Sequence, residues 1–266
     1  MRSLQKRKSF IFMDKNSVQR FSNRVENYIK YRPHYPKDLI NFLNKEMGFN
    51  PEKVVADIGS GPGISSEHFI VNGNKVYAVE PNELMREGAE KIFEGSKNFM
   101  SVDGTAEDTT LQDKSIDLII AGQAFHWFDK KKCRDEFVRI LKEVGYVVLM
   151  WNLRDRKSSF MEEYENLLIK YGTEYENLYQ DDVDSKEIAD FFSPSVNKLE
   201  KFPNYQLLDY TALEGRLLSS SYIPLAKNPV FDEMIDNLKK IFEKNNIDGK
   251  VKMEYETNVY YGRLSA

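Results

Sequence analysis

The chain has 266 residues, of which 41% are apolar and 13% aromatic, and its formal net charge is −4. This composition is ample for a buried core and excludes a mainly disordered protein, and the interspersed charges offer no basic block for a nucleic-acid backbone. The single cysteine, Cys133, excludes an intrachain disulfide and a cysteine-based zinc site.

The N-terminal part of the chain is predicted to be helical. Apolar and aromatic residues recur at helical spacing from about residue 16 to residue 47. The prolines of the stretch RPHYP, Pro33 and Pro36, are expected to end one helix and to begin the next. We therefore interpret residues 1–50 as a helical lid segment.

The central part alternates short apolar strands with amphipathic helices. Strands are predicted at residues 54–58, 75–80, 99–102, 116–121 and 146–151, and helices at residues 64–71, 82–95 and 130–141. Such alternation implies right-handed crossovers and a parallel sheet with helices on both faces. The fold class is thus α/β, with a doubly wound, mostly parallel sheet whose core spans residues 51–156.

The pattern changes after residue 156. A charged, helical stretch over residues 160–190 precedes a predicted returning strand at residues 198–210, so residues 157–230 form a predicted helical insertion or cap. A helix at residues 231–243 and a strand at residues 251–264 are expected to complete the sheet within residues 231–266.

Three glycines follow the first strand in the stretch VVADIGSGPG: Gly59, Gly61 and Gly63. Glycines at a strand end permit a tight turn and let a ligand approach the backbone. The dinucleotide fingerprint would place its third glycine at position 64, which is Ile64. The preceding acid, Asp57, would repel a pyrophosphate but suits an ammonium or a sulfonium. A P-loop is excluded because no Gly-Lys-Ser/Thr follows.

The second strand ends in Glu80, 23 residues after Asp57. An acid at this place can accept hydrogen bonds from both hydroxyls of a ribose. The site therefore favours a ligand with a ribose and a cation, and S-adenosylmethionine supplies both.

Four stretches together resemble the successive motifs of class I S-adenosylmethionine-dependent methyltransferases, in particular the small-molecule enzymes with a methyltransferase type 11 domain. They are VVADIGSGPG, VYAVEPNELM, GTAEDTTLQDKSIDLIIAGQAFHWFD and RILKEVGYVVLMWNLRD. The motif similarity covers about residues 20 to 156, and looser similarity continues to the end. The resemblance implies a seven-stranded Rossmann-like sheet in which residues 51–156 form the cofactor-binding core. The usual Lys-Pro-Gly-Gly before the fifth strand is replaced by Lys142-Glu143-Val144-Gly145, a structural turn.

The resemblance implies cofactor contacts for a set of residues at the ends of four strands. It assigns the amino acid portion to Asp57, Gly59 and Gly61, the ribose to Glu80, the adenine to Pro81, Met85, Thr105, Ala106 and Glu107, and the neighbourhood of the methyl group to Gln123 and Phe125. Many members have an aspartate at the position of Thr105. Asp103 or backbone groups would replace its adenine contact here.

His126 is the leading candidate for a general base, because it follows the fourth strand in QAFHWFD and a free imidazole titrates near working pH. A role in packing or in cofactor binding would explain the position of His126 equally well. The acceptor is expected to contact Tyr28, Arg32, Tyr35, Trp127 and Tyr222. Arg32, Arg154 and Arg216 could also bind a carboxylate of the cofactor or of a small acid, although each arginine alone is expected at the surface.

The predicted function is methyl transfer from S-adenosylmethionine to an oxygen or nitrogen of a small-molecule acceptor. Two alternatives remain: a cofactor-binding protein without catalysis, and a nicotinamide-dependent oxidoreductase, against which Ile64 and Asp57 argue. We expect a soluble, cytoplasmic monomer or homodimer without a bound metal or a nucleic-acid or membrane partner. No apolar run approaches the roughly 20 residues that cross a bilayer, and the apolar run at residues 10–13 is too short for a signal-peptide core.

Overall fold

The computed structural model describes residues 25–173 and 185–264. In this part of the chain one seven-stranded sheet is formed. Its strands are β1 (Val55–Ile58), β2 (Val76–Val79), β3 (Phe99–Val102), β4 (Ile116–Gly122), β5 (Leu141–Arg154), β6 (Lys198–Leu208) and β7 (Val251–Gly262). The α-helices of the same ranges are α1 (Val25–Tyr31), α2 (Leu39–Met47), α3 (Ser66–Val71), α4 (Glu83–Ile92), α5 (Lys130–Ile140), α6 (Ser159–Tyr171), α7 (Ser185–Phe192), α8 (Tyr210–Leu218) and α9 (Phe231–Asn245).

The strand order is β3-β2-β1-β4-β5-β7-β6. The pairs from β3 through β5 are parallel, whereas β7 is antiparallel to both β5 and β6. The predicted doubly wound, mostly parallel sheet is therefore confirmed. The chain first moves outward from β1 and then returns to β4 on its other side, and such a switch point opens a crevice at the carboxyl ends of the two strands.

Helices bury both faces of the parallel strands. On one face Phe137 of α5 and Phe192 of α7 are fully buried against β4 and β5. On the other face Leu43 of α2 and Phe69 of α3 are fully buried. Burial on both sides explains why β1, β2, β4 and β5 contain continuous apolar runs and not alternating patterns, whereas the edge strand β3 is only partly buried.

A third apolar cluster joins α6, α8 and α9 to the start of β7. Its buried members include Tyr164, Leu213, Leu238 and Met253. Because β6 and β7 extend the sheet on the β5 side, this cluster places α8 close to the carboxyl end of β5. The insertion thus has its own core beside the crevice.

The structure differs from the sequence-based prediction in two elements. Strand β5 begins directly after α5 and is longer than predicted. Helix α8 was not predicted, because Gly215 in its interior weakens the helical pattern; the side chain of Asp209 nevertheless caps it by accepting a hydrogen bond from the backbone N–H of Ala212. The helical predictions for residues 16–24 and 174–184 lie outside the described residues.

Candidate active site

The loop after β1 is tied to the end of β2. The backbone N–H groups of Gly59 and Ser60 both donate to the carbonyl of Val79, at 2.9 and 3.2 Å. Gly59 and Gly61 have φ angles of +66° and +54°, values that favour glycine. The loop therefore curls over the crevice with its backbone close to the space between β1 and β4.

Glu80 lies buried at the carboxyl end of β2 and supports this loop. Its carboxylate accepts a hydrogen bond from the N–H of Gly61 at 3.0 Å and one from the N–H of Asn82 at 2.9 Å. Burial raises the pKa of Glu80, although these two bonds and the nearby Arg86 act in the opposite direction. The carboxylate links the glycine loop to the start of α4.

Asp57 is fully buried at the end of β1. One of its oxygens, Oδ2, accepts hydrogen bonds from the hydroxyls of Ser65 and Ser66 at 2.6 and 2.7 Å. The other, Oδ1, has no hydrogen-bond partner among the described residues. Burial raises the pKa of Asp57 to about 6, while the two serine hydroxyls lower it. The side chain is ionised at neutral pH and keeps one acceptor position open.

The residues predicted to border an adenine lie next to β2 and β3. Met85 is buried on α4, and Ala106 is buried in the core. The hydroxyl of Thr105 accepts from the N–H groups of Glu107 and Asp108, so it organises its own loop. The alternative residue Asp103 forms an exposed ion pair with Arg86 at 3.0 Å.

The segment after β4 turns sharply at Gln123, whose φ is +56°. The side-chain amide of Gln123 donates to the carbonyl of Asn152 at 3.1 Å. A short 3-10 helix, Phe125–Trp127, follows. Phe125 points into the core, with its ring centroid 4.8 Å from that of Phe191.

His126 and Trp127 are neighbours on this short helix, with ring centroids 4.8 Å apart. Both line the crevice. Exclusion of solvent, and then the charge of Lys130, lowers the pKa of His126 to about 3. The imidazole is therefore neutral at working pH and is a weak proton acceptor, in contrast to the near-neutral pKa on which its candidacy as a base was founded.

The segment between α1 and α2 forms a roof over the crevice. The carbonyl of Tyr35 contacts Nε2 of His68 at 2.7 Å, and its ring lies against Gly122 at the end of β4. The carbonyl of His34 accepts from the side chain of Asn204 on β6 at 2.8 Å. These contacts attach the predicted lid to α3, β4 and β6.

The roof and the sheet enclose one cleft that brings together many of the predicted site residues. Those that line it are Tyr28, Arg32, Tyr35, Gly59, Gly61, Gln123, His126, Trp127 and Tyr222. The other predicted residues are not part of the lining: Asp57, Glu80, Pro81, Met85, Thr105, Ala106, Glu107 and Phe125.

Sequence reasoning raised two arginines of this lining, Arg154 and Arg216, as residues that could bind a carboxylate. It missed Asn152 and Arg156 at the end of β5, which also line the cleft. The expectation that Arg216 lies at the surface is wrong: it is 3% exposed, because α8 packs between α1 and the third apolar cluster. No local pattern marks these residues, which come from elements far apart in the chain.

Known proteins share this architecture and its motifs. A family model described as "Methyltransferase domain" matches residues 56–149. An uncharacterized methyltransferase of Schizosaccharomyces pombe is 26% identical over 234 residues, covering 86% of this chain and 90% of the relative. A probable S-adenosylmethionine-dependent methyltransferase of Saccharomyces cerevisiae is 22% identical, covering 94% and 99%.

A solved structure from Anaeromyxobacter dehalogenans, assigned as a type II methyltransferase, superposes with a TM-score of 0.67 at 20% identity. The superposition covers 89% of this chain and all of that one. The fold, the family match and the relatives together define an enzyme class. The chain is a class I S-adenosylmethionine-dependent methyltransferase.

The cofactor is accordingly S-adenosylmethionine, and the site fits it in two respects. The open acceptor position on Asp57 Oδ1 is an unsatisfied buried charge that a cationic ligand would neutralise. A Cβ placed on Gly61 would meet no protein atom within 4 Å, so the loop leaves free space on the cleft side. In the part of the chain that the structure describes, no helix is long and apolar enough to span a membrane, and no cluster of three metal-binding side chains occurs.

Proposed function

We propose that this methyltransferase acts on an oxygen or nitrogen atom of a small-molecule acceptor. The observation that carries the proposal is the roofed cleft. The segment at residues 32–36 is hydrogen-bonded across the ends of the strands, so the space below it suits a small molecule better than a polymer. Enclosure also excludes water and holds the reacting groups in line, which methyl transfer requires.

On the cofactor side, we propose the roles that the motif positions imply. Asp57, Gly59 and Gly61 would bind the amino acid portion, Glu80 the ribose, and Gln123 would adjoin the methyl group. Phe125, which the motif also assigned to the methyl group, packs in the core and is not part of the cleft lining. Pro81, Met85, Thr105, Ala106 and Glu107 would surround the adenine. When bound, S-adenosylmethionine supplies an electrophilic methyl group on a sulfonium sulfur.

On the acceptor side, Tyr28, Arg32, Tyr35, Trp127 and Tyr222 would form the walls of the cleft. Arg32 supports this assignment because two contacts fix its side chain. Its guanidinium lies 4.7 Å from the ring centroid of Tyr28 on α1 and donates a hydrogen bond to the carbonyl of Ser219, after α8, at 3.0 Å. The aromatic faces exclude water and favour a cationic sulfur nearby.

We propose that His126 contacts the acceptor as a neutral imidazole and orients it. A side chain with a pKa of about 3 takes up a proton poorly. The reaction then relies on an acceptor atom that already carries a free lone pair. Transfer to a deprotonated oxygen or an unprotonated nitrogen meets this condition.

The pH dependence of turnover tests this role of His126. Since the folded pKa lies well below the ordinary value, we expect kcat at saturating substrates to show no imidazole titration between about pH 5 and about pH 9. His126→Gln should lower kcat by less than about tenfold, short of the 10²- to 10⁴-fold effect of a general base. An inflection near pH 6.5 that disappears in His126→Gln would instead make His126 the base.

Cofactor affinity is expected to fall as the pH drops through about 6, the pKa of Asp57. Below this value the free protein holds a neutral Asp57, which must lose its proton before it can pair with a cation. The dissociation constant for S-adenosylmethionine should therefore rise about tenfold between about pH 7.5 and about pH 5, as measured by calorimetry. Asp57→Asn is the matched control and should bind S-adenosylmethionine weakly at both pH values. A wild-type affinity that stays constant over this pH range would contradict the assignment of Asp57 to the cofactor.

We also propose that the protein works in the cytoplasm as a monomer or homodimer without a nucleic-acid partner. The net charge of −4 and the single cysteine support this. The location of Arg32 and Arg216 in the cleft supports it further, because these cations are not part of an exposed basic surface.

The function is tested by titrating the purified protein with S-adenosylmethionine and, separately, with nicotinamide dinucleotides. A ligand of the native state raises thermal stability by mass action, about 2.7 kcal/mol at a hundredfold excess over Kd. Small acids, alcohols, phenols and amines are then offered with methyl-labelled cofactor. Labelled product supports the proposal, whereas cofactor binding with turnover only on a protein or nucleic acid would refute the small-molecule acceptor.

A further inference from the structure

The roof between α1 and α2 depends on hydrogen-bond donors from outside its own backbone. It contains Pro33 and Pro36, neither of which has a backbone N–H to donate. Tyr31 is the last residue of α1, so its carbonyl has no donor within the helix. Side-chain amides of β5 and β6 donate to the carbonyls of Tyr31, Pro33 and His34. The position of the roof is therefore set by strands that follow it far along the chain.

Gln206 of β6 holds the end of α1. Its amide nitrogen Nε2 donates to the carbonyl of Tyr31 at 3.0 Å, and its oxygen Oε1 accepts from the hydroxyl of Tyr255 at 2.9 Å. The same hydroxyl accepts from Nε of Arg216 at 3.2 Å, and since an arginine can only donate, the hydroxyl hydrogen is directed to Gln206. The orientation of the Gln206 amide is thus fixed on both sides, with its donor facing the roof.

Asn204 lies two residues earlier on β6 and holds the middle of the roof. Its oxygen accepts from the backbone N–H of the next residue at 2.9 Å, so its nitrogen Nδ2 faces the roof. That nitrogen donates to the carbonyl of His34 at 2.8 Å and to Oδ1 of Asn152 on β5 at 3.1 Å. Because Oδ1 of Asn152 is the acceptor, its Nδ2 faces the carbonyls of Pro33 and His34, at 3.4 and 3.5 Å.

These contacts fix the backbone on both sides of Arg32 and directly before Tyr35, two roof residues that line the cleft. Asn152 also lines the cleft, whereas Asn204 and Gln206 are not part of the lining. Asn204 and Gln206 therefore act on the cleft through the roof and not by contact with its contents.

Two glycines accept aromatic side chains at the ends of the roof. A Cβ on Gly215 of α8 would overlap the ring of Tyr31, and a Cβ on Gly122 of β4 would overlap that of Tyr35. Neither glycine has a positive φ, so the backbone conformation does not require glycine at these positions. The close approach of the two rings does require it. The roof is therefore located by packing at both ends as well as by the amides between them.

We propose that Asn204 and Gln206 are positioning residues for methyl transfer. Through two roof carbonyls they hold Arg32 and Tyr35 where these side chains close over the acceptor. A displacement of about 1 Å in the groups that surround the reacting atoms can lower a rate about 100-fold, so two amides outside the cleft can affect turnover. The inference rests on the proposed function, which assigns Arg32 and Tyr35 to the walls of the acceptor site, and it adds the residues that support those walls.

Hydrogen exchange tests the positional part of the proposal without any acceptor. The backbone N–H of Arg32 donates to the carbonyl of Tyr28 at 3.2 Å, so it exchanges when the end of α1 opens. Gln206→Glu and Asn204→Asp each remove one donor and retain the size of the side chain. In the protein saturated with S-adenosylhomocysteine, we expect each variant to accelerate exchange of this N–H by about two- to tenfold, the effect of one lost hydrogen bond on a local opening equilibrium.

Two controls separate this effect from a general one. Gln112→Glu makes the same chemical change at an exposed position outside the cleft lining and should leave the exchange rate unchanged. The N–H of Asn246, which donates to the carbonyl of Phe242 at the end of α9, should exchange at the wild-type rate in every variant. Unchanged exchange of the Arg32 N–H, or equal acceleration of both N–H groups, would overturn the positioning role.

Turnover on an acceptor found with methyl-labelled cofactor tests the catalytic part. In Gln206→Glu and Asn204→Asp we expect kcat to fall about tenfold or more, while Kd for S-adenosylhomocysteine stays within about threefold of the wild-type value. A role in general stability would not produce this split, because a less stable protein that is still folded binds the cofactor product and turns over normally. Faster exchange of the Arg32 N–H with an unchanged kcat would refute the proposal, as would a loss of affinity for S-adenosylhomocysteine as large as the loss of kcat.

Failure of this inference differs from failure of the proposed function. If the wild-type protein methylates a small molecule and the two variants match it in kcat, only the positioning role is wrong. If the wild-type protein methylates only a macromolecule, the proposed function is wrong, and the exchange rates still report whether Asn204 and Gln206 hold the roof.

Discussion

Glu80→Ala is expected to abolish measurable binding of S-adenosylmethionine while the sheet remains folded. In the proposed site the carboxylate accepts hydrogen bonds from the ribose hydroxyls, and each charge-assisted bond contributes about 1.5–3 kcal/mol. Two such bonds correspond to a loss of affinity of about 100-fold or more. The variant also removes the acceptor for the N–H groups of Gly61 and Asn82, so the loop loses its support at the same time.

Calorimetry with the cofactor and thermal unfolding without it separate these effects. Leaving the two amides unpaired should lower the free energy of unfolding by about 1–3 kcal/mol, which a domain with a fully buried core tolerates. Glu83→Ala is the matched control, since Glu83 is an exposed acid in the first turn of α4. If Glu80→Ala bound the cofactor within threefold of the wild-type affinity, the ribose assignment would be wrong.

Gly61→Ala is expected to weaken cofactor binding by about 10- to 100-fold, because a methyl group would then occupy space that the ligand needs. An added Cβ meets no protein atom within 4 Å, so the substitution does not disturb packing in the protein itself. The left-handed backbone conformation of Gly61, with φ of +54°, adds a cost of about 1–2 kcal/mol to folding.

Gly95→Ala provides the control that isolates the ligand effect. Gly95 also has a positive φ, +80°, and open space around its Cβ position, but it is outside the cleft lining. Both variants should lose similar stability in thermal unfolding, and only Gly61→Ala should lose affinity for the cofactor. Equal affinities in the two variants would show that the cofactor does not approach the loop at Gly61.

The two variants differ in what they test. Glu80 probes a specific pair of polar contacts, whereas Gly61 probes the shape of the loop and the closeness of the ligand. Loss of binding in both would support the whole cofactor assignment around β1 and β2. If only Glu80→Ala lost affinity for the cofactor, the assignment of the ribose to Glu80 would stand. The amino acid portion would then bind at a distance from the glycine loop.

Much of the cofactor side could be predicted from sequence because its determinants are local. The apolar strand, the glycine turn and Asp57 are adjacent in the chain, and Glu80 ends the neighbouring parallel strand. Parallel strands bring their carboxyl ends to one edge of the sheet, so Asp57 and Glu80 are necessarily close. The boundaries of β1, β2 and β4 followed the apolar runs, since these strands are buried on both faces.

The part of the cleft that we propose for the acceptor could be predicted only in part. Tyr28, Arg32 and Tyr35 were singled out, but the partner that α1 contacts, helix α8, was not predicted as a helix. The low pKa of His126 could not be predicted from the sequence either, because it depends on how completely the surrounding segments exclude water from the imidazole. The local composition of the sequence predicts neither helix α8 nor the pKa of His126.

The sequence by itself therefore determined the sheet, the strand-end glycines and acids, and through them the class of cofactor, because each depends on neighbours in the chain or on the regular geometry of parallel strands. Tertiary structure alone decided which cationic side chains line the cleft. The sequence raised Arg32, Arg154 and Arg216 as carboxylate binders but expected each of them at the surface. Only the packing of α1, α6 and α8 around the end of β5 brings them together with Arg156 and the carboxylate of Glu165. Electrostatic free energy depends on distance and burial and not on position in the chain, so the interactions among these side chains exist only in the folded protein.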